Sequence, residues 1–343
     1  MTRVGIVAVV VATALIASLV TAAAVRWTSP APGSCDVRAV AARSLPAVVT
    51  VLANGQSGSG SGSGAVIDAA GVILTNDHVI APAVENGTVQ VLLTSGEQVD
   101  ATLVGTDPLT DLAVLRIDKT GLPVLKVAAD DSLTVGQPVV ALGAPLGLSG
   151  TVTSGIVSAL GRDVPVPKAG GGSTVLIGAV QTDASINPGN SGGPLVDCDG
   201  TLIGVNTAIS TVPNSEGVAG GGSVGIGFAV PAATAGRIAG ELLASGRASH
   251  PWTGFTAAEV SGQVAAQFGS PAGLYVQQVA PGGPAAAAGL RPGDLIIRLD
   301  DTPASSQAQS RLLLTSHVGD TVTLTVVRPP STAQLPLVLA EQP

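Results

Sequence analysis

Short runs of Val, Ile and Leu, bounded by Gly, Pro, Asn or Asp, recur through most of the chain. "AVVTVLA" (47–53), "AVIDAAGVILT" (65–75) and "LAVLRI" (112–117) are of this kind, as are "GLYVQQV" (273–279), "GDLIIRLD" (293–300) and "TVTLTVV" (321–327). β-Branched side chains suit a pleated surface and the bounding residues suit turns, so the pattern predicts mostly β structure. In "PAATAGRIAGELLASGRA" (231–248) apolar residues recur at helical spacing and stop at a Gly-Arg pair, which predicts a helix closing a first β-rich unit. A second β-rich unit runs from about Pro251 to the end, with "PAAAAGL" (284–290) as a short helix inside it.

Three polar stretches interrupt the pattern. "GQSGSGSGSGA" (55–65) is of low complexity but lies between strand-like runs, so it reads as a mobile hairpin loop within a domain. "VPVPKAGGGS" (164–173) and "VPNSEGVAGGGS" (212–223) read as two more long loops, where binding and regulation tend to reside. At the other extreme, Val4 to Val25 are 22 residues without a charge. At about 1.5 Å per residue they span the roughly 30 Å hydrocarbon layer of a bilayer. Arg26 and Trp27 would sit at the interface. The alternative is a cleaved signal peptide, for which Ala22–Ala23–Ala24 supplies small residues. The length of the run favours an uncleaved transmembrane anchor, and both readings export the rest of the chain. The expected organisation is therefore an anchor or signal (1–27), a linker (28–36), a first domain (37–233), a helical linker (234–250) and a second domain (251–343).

Composition narrows the partners. With 343 residues the chain has room for two domains, and with 45% hydrophobic but 2% aromatic residues their cores must be aliphatic. A net charge of −8 argues against nucleic acid, which calls for a basic face. The two cysteines, Cys35 and Cys198, form no CxxC or Cys/His spacing, so no metal site is expected. Whether they pair in an exported chain stays open at this level.

The candidate chemistry starts from "NPGNSGGPL" (187–195), where Ser191 stands between glycines after a Pro-Gly-Asn turn and is flanked by apolar runs. A serine nucleophile needs a base, and the base needs an orienting acid. The chain has three histidines. His250 precedes a proline at the domain junction and His317 precedes a turn, whereas His78 follows a strand in "GVILTNDHVIAP". Asp107 precedes Pro108 and reads as a turn former. Asp111 opens the apolar strand "LAVLRI" and can point inward, where a carboxylate needs a partner such as an imidazole N–H. Backbone N–H groups of Gly189 and Ser191 can face one small space and hold an oxyanion.

"TNDHV", "DLAVL" and "GNSGGPL", in this order and 33 and 80 residues apart at His78, Asp111 and Ser191, resemble the trypsin-like serine proteases of the HtrA (high-temperature requirement, Deg) type. "GSGAVID", "VVALGAPLGL", "TVTSGIVSALGR", "QTDASINPGNSGG", "LIGVNTAI" and "GIGFAVP" agree, and the resemblance covers about residues 40–340. It implies a chymotrypsin-like pair of packed six-stranded β-barrels with the site between them. It implies His78 as general base and acid, Asp111 as its orienter, Ser191 as nucleophile, and the backbone of Gly189, Asn190 and Ser191 as oxyanion hole. Asn190 would contribute its amide rather than its side chain. Ser185, six residues before the nucleophile, would lie at the base of the substrate pocket, with Asn206, Thr207 and Ala208 beside it. A serine there disfavours cleavage after Arg or Lys, and the small neighbours fit aliphatic residues.

The second unit resembles a PDZ domain. "WTGF", Trp252, Thr253, Gly254 and Phe255, matches the loop whose backbone N–H groups hold a peptide C-terminus while the peptide adds as a strand. No metal or organic cofactor is implied. Trimeric members of the family associate through aromatic residues near the start of the protease domain; this chain has none between Thr28 and Phe228, so a homotrimer would rest on aliphatic contacts. A disulfide between Cys35 and Cys198 would staple the entry linker to the second barrel. The implied activity is a membrane-anchored, extracytoplasmic endopeptidase for unfolded or damaged proteins. The alternative is a chaperone or peptide-binding scaffold with a largely idle protease site.

Overall fold

The computed structural model describes residues 35–341 apart from 57, 85, 130–131, 145–149, 168–172 and 208–222. The predicted membrane segment and most of the linker after it lie outside the described residues, and among the described residues no helix is long and apolar enough to cross a membrane.

The first described helix, α1 (Val37–Ser44), starts where the linker was expected to end. The Asp36 carboxylate caps it, accepting from the Arg38 and Ala39 amides at 3.0 and 3.2 Å. Next come β1 (Val48–Gly55), β2 (Gly58–Asp68), β3 (Val72–Thr75), the one-turn helix α2 (Asp77–Ile80), β4 (Thr88–Leu92), β5 (Gln98–Asp107) and β6 (Leu112–Ile117). They close an antiparallel barrel in the order β1-β2-β3-β6-β5-β4. A second barrel, β10-β11-β12-β9-β8-β7, is built from β7 (Pro138–Gly143), β8 (Thr151–Pro167), β9 (Ser173–Thr182), β10 (Pro194–Val196), β11 (Leu202–Thr207) and β12 (Gly227–Pro231). The expected loop 164–173 is thereby shortened, because β8 and β9 continue into it from both sides and pair as far as Pro167 with Ser173.

The Gly-Ser stretch is a strand, not a mobile loop. β2 pairs with β1 from Val48–Ala65 out to Gly55–Gly58. Strand alternation puts its glycines on one face, and from Gly60 to Gly64 that face has no room for side chains. A Cβ at Gly60 would lie 2.5 Å from the Val79 carbonyl oxygen, one at Gly62 would lie 2.6 Å from a Val79 methyl and 2.9 Å from the Ser191 carbonyl oxygen, and one at Gly64 would lie 2.7 Å from an Ile73 methyl. Composition suggested flexibility; crowding by neighbouring elements imposes the strand.

Helix α3 (Ala232–Ser245) occupies most of the segment expected to be a helical linker, but it belongs to the protease core. It buries Ala235, Ile238, Ala239 and Leu242 in the same aliphatic cluster as Leu112, Leu115 and Val205. Burying each large side chain contributes roughly 1.5–3 kcal/mol. The helix stops at Gly246, in the left-handed region at φ +75°.

The C-terminal unit contains β13 (Pro251–Trp252), β14 (Phe255–Val260), α4 (Gly262–Gln267), β15 (Gly273–Val279), α5 (Pro284–Ala287), β16 (Leu295–Leu299), β17 (Thr302–Pro303), α6 (Ser306–Thr315), β18 (Thr321–Arg328), β19 (Ser331–Val338) and β20 (Ala340–Glu341). Its sheet runs β14-β15-β16-β18-β19 with a separate aliphatic core around Leu274, Ile296 and Leu324. α6 also reaches the second barrel: Arg311 donates to the Gly161 carbonyl at 2.9 Å, and Arg237 of α3 donates to the Leu314 carbonyl at 3.3 Å.

Cys35 and Cys198 are disulfide-bonded across 163 residues, with Cα atoms 5.1 Å apart. Beside them Arg43 donates to the Asp199 carbonyl at 2.7 Å, so α1 is held on the turn after β10. Replacing both cysteines by serine is expected to cost about 2–4 kcal/mol through the freed unfolded chain. Gly62→Ala is expected to cost about 1–3 kcal/mol by overpacking. Urea unfolding of each variant against the parent protein measures both.

Candidate active site

The site lies where the two barrels meet. β3 delivers Thr75 and Asn76 to the seam, and α2 then turns His78 back toward the β5–β6 turn. Asp111 closes that turn at φ +57°, a left-handed conformation that Asp tolerates better than most residues. Its carboxylate holds His78 twice. One oxygen accepts from the His78 backbone N–H at 3.0 Å, and both lie 2.9 Å from Nδ1. The imidazole is thus fixed with Nδ1 toward the acid.

Asp111 is itself held. The Asn76 amide nitrogen donates to its carbonyl at 2.7 Å and to the Thr207 hydroxyl at 3.0 Å, and that hydroxyl reaches the Asp111 carboxylate at 3.4 Å. Asn76 and Thr207 are both buried. Burial alone would lower the pKa of His78, but the hydrogen bond and charge of Asp111, with the charge of Asp77, outweigh it, and the net shift is upward from 6.5. Asp77 is shifted upward by burial and by the charges of Asp111 and Asp107, against the Thr106 hydroxyl bonded to it.

Ser191 sits in the glycine turn before β10. Gly192 is at φ +80°, and a Cβ there would lie 2.3 Å from the Thr75 hydroxyl and 3.1 Å from the Asn76 nitrogen. The turn is therefore pressed against the end of β3 from which His78 follows. The Ser63 N–H donates to the Ser191 carbonyl at 2.8 Å; the Ser63 hydroxyl donates to the Gly189 carbonyl at 2.5 Å and accepts from the Ala144 amide at 2.8 Å.

Several expected roles are redistributed. The Asn190 amide, counted among the oxyanion donors, closes the turn by donating to the Asn187 carbonyl at 2.9 Å, and its side chain donates to the Ser185 carbonyl at 3.2 Å. Its side chain therefore has a structural task that sequence reading had denied it. Ser185 lies next to the turn and also accepts from Thr153 at 2.9 Å through its carbonyl. Asn206 is buried, and its side-chain amide donates to the Leu142 and Pro194 carbonyls at 3.2 and 3.0 Å. Thr207 reaches the Asp111 carboxylate, because strand alternation turns it to the seam. Ala208 lies outside the described residues. Ser63 and Asn76 were missed as site residues, and Thr207 was expected only at the pocket. Only the company of Asn76, within "TNDHV", marked it.

In the C-terminal unit, Trp252 pairs with Ala340, Thr253 is buried, and Phe255 is buried as the first residue of β14. Gly254 sits at φ +74° with Pro284 2.8 Å from where a Cβ would be. β14 is an edge strand, and α6 runs beside it: the Ser306 N–H donates to Glu259 at 2.9 Å and Gln309 reaches the Thr253 hydroxyl at 3.4 Å. An edge strand beside a helix is the geometry into which a peptide adds.

Residues 62–205 match the trypsin-like peptidase domain family and residues 226–337 the PDZ domain family. The chain is 39% identical over 322 residues to the serine protease PepD of Mycobacterium tuberculosis, covering 91% of this chain and 67% of that protein. It is 40% identical over 285 residues to a probable periplasmic serine endoprotease, DegP-like, of Pseudomonas fulva, covering 82% of this chain and 56% of that protein. The HtrA-type protease AlgW, solved with a decapeptide, superposes with a TM-score of 0.71 at 32% identity over 90% of this chain and 99% of the other.

The chain belongs to the HtrA/DegP-type serine proteases. It carries one trypsin-like peptidase unit and one PDZ domain, as these proteases combine them. It spans 67% of the mycobacterial relative and little more than half, 56%, of the Pseudomonas one. The PDZ match begins inside the region where β12 and α3 complete the protease core.

A base must be neutral to accept a proton, so hydrolysis is expected to rise with pH through a pKa above 6.5 and to plateau beyond it. The same upward shift stabilises the fold below the unfolded pKa, and that contribution fades as pH rises through the folded value. Asp111→Asn is expected to lower kcat by about 10,000-fold by favouring the wrong imidazole tautomer. A pH–rate profile of kcat/KM for a peptide substrate, with and without this substitution, measures both.

Proposed function

We propose that this protein is an exported serine endopeptidase that cleaves unfolded or damaged proteins by acyl transfer. Ser191 attacks the scissile carbonyl, and His78 accepts the hydroxyl proton and returns it to the leaving amine. Asp111 holds the imidazole and balances the imidazolium. Water then releases the acyl-enzyme with His78 again as base. The Gly189 and Ser191 amides face the developing oxyanion, while Asn190 keeps the turn closed. The observation that carries this reading is the double grip of Asp111 on the His78 ring and backbone, at 2.9 and 3.0 Å, in the seam that also holds the Ser191 turn.

The reading extends to specificity, capture and place. Ser185 at the pocket supplies no anion to bind Arg or Lys, so cleavage falls after small aliphatic residues. The PDZ domain takes peptide C-termini along β14, with the loop at Trp252 to Phe255 receiving the carboxylate. The apolar stretch Val4–Val25 anchors the chain in the cell membrane, with both domains on the extracytoplasmic side. A disulfide between Cys35 and Cys198 suits that compartment.

Full-length protein and its Ser191→Ala variant, each incubated with reduced casein, test the chemistry, and sequencing of the new termini tests the pocket. Cleavage by the unsubstituted protein alone, after Val, Ala or Leu, is the expected result. Cleavage by both removes Ser191 from the mechanism, and cleavage after Arg or Lys overturns the pocket assignment.

A further inference from the structure

A second His–Asp pair lies beside the first. His250 Nε2 is 2.9 Å from Asp107 Oδ1, with the two side chains 12% and 5% exposed. They are 143 residues apart in sequence. Asp107 ends β5, and its carboxylate organises the turn that follows. One oxygen accepts from the Leu109 N–H at 3.3 Å and the other from the Thr110 hydroxyl at 2.5 Å. The next residue is Asp111, whose carboxylate holds His78. A continuous series of contacts therefore runs from His250 through Asp107 and the 108–110 turn to Asp111 and the imidazole.

We propose that His250 is a positioning residue for hydrolysis, holding Asp107 so that the turn presents Asp111 to His78. The proposal rests on the triad reading above.

Physical chemistry gives the reason. Burial and the charges of Asp111 and Asp107 raise the proton affinity of Asp77. A buried carboxylate without a donor is costly and reorganises or takes up a proton. Burial pushes Asp107 upward, yet His250 and Thr110 bring it below the usual carboxylate value, so it stays charged and keeps both turn contacts. Asp111 stands at φ +57°, a conformation that persists where its surroundings hold it. Displacements of about 1 Å at a catalytic group can cost about 100-fold in rate.

The position of His250 adds a consequence. It directly precedes β13, where the chain enters the PDZ domain, and Ser249 before it is tied to α3 through the Glu241 carboxylate at 2.8 Å. The short stretch between α3 and the PDZ domain thus carries the donor for the turn that holds Asp111.

The test compares full-length protein with His250→Leu, His250→Gln, Asp107→Asn and the Leu/Asn double variant. The readouts are kcat and KM on a peptide substrate and the rate of covalent labelling by a fluorophosphonate probe. His250→Leu removes the donor at similar volume, whereas His250→Gln places an amide N–H near the Nε2 position. His250→Leu is expected to lower kcat and labelling about 10- to 100-fold with little change in KM. His250→Gln should recover most of the loss, and the double variant should lose no more than the worse single one. Parent-like labelling and kcat in His250→Leu overturn the proposal. So does a loss that Gln fails to recover and that adds fully to that of Asp107→Asn. If His250→Leu fails to fold, Asp107→Asn decides alone: unchanged kcat overturns the proposal and a loss at constant KM supports it. Ser191→Ala serves as control. Labelling of that variant at the parent rate overturns the triad reading itself, an outcome distinct from unlabelled Ser191→Ala with parent-like His250→Leu.

Discussion

The Ser63 amide donates to the Ser191 carbonyl, and the Ser63 hydroxyl bridges the Gly189 carbonyl to the Ala144 amide. This contact between β2 of the first barrel and the nucleophile turn of the second is the constraint on which the site depends. It requires backbone to lie against backbone, which is possible only where side chains are missing. Gly62 on one side and Gly192 on the other meet that requirement, each with neighbouring atoms inside 3 Å of where a Cβ would stand. A low-complexity Gly-Ser stretch thereby becomes a strand packed closely along Gly60 to Gly64. Its ladder to β1 supplies the hydrogen bonds that glycine's conformational freedom would otherwise make it forgo.

Once the seam is set, electrostatics dominates. The interface brings Asp77, Asp107 and Asp111 into one small region with His78 and His250. Each carboxylate has a designated donor: Thr106 for Asp77, His250 and Thr110 for Asp107, His78 and Thr207 for Asp111. Where donors outweigh burial, as at Asp107, the acid stays ionised; where burial and like charges dominate, as at Asp77, proton affinity rises. Asp111 accepts from the His78 backbone and lies against its ring, and the contacts of Asn76 and Thr207 hold it in place.

The PDZ domain has its own core and sheet, so its internal stability does not draw on the protease. Among the described residues its polar contacts with the protease include Arg311 to Gly161 and Asp163, Arg237 to Leu314, and His250 to Asp107 on the connecting chain. Contacts of this kind between domains shift more readily than an apolar core.

Local pattern was enough to determine the β class, two units, the helix over Ala232–Ser245 with its glycine stop, and the pairing of His78 with Asp111. These are encoded within windows of a dozen residues by side-chain periodicity and turn chemistry, or by short motifs whose order along the chain is distinctive. Tertiary structure alone decided that residues 58–64 form a strand, that Asn190 serves the turn, that Asn206 and Thr207 are buried and hydrogen-bonded at the seam, that Cys35 meets Cys198, and that His250 meets Asp107. The physical reason is common to them. Room for a Cβ, or a donor for a buried carboxylate, is a property of whatever packs opposite, and here the opposite residue stands up to 163 positions away.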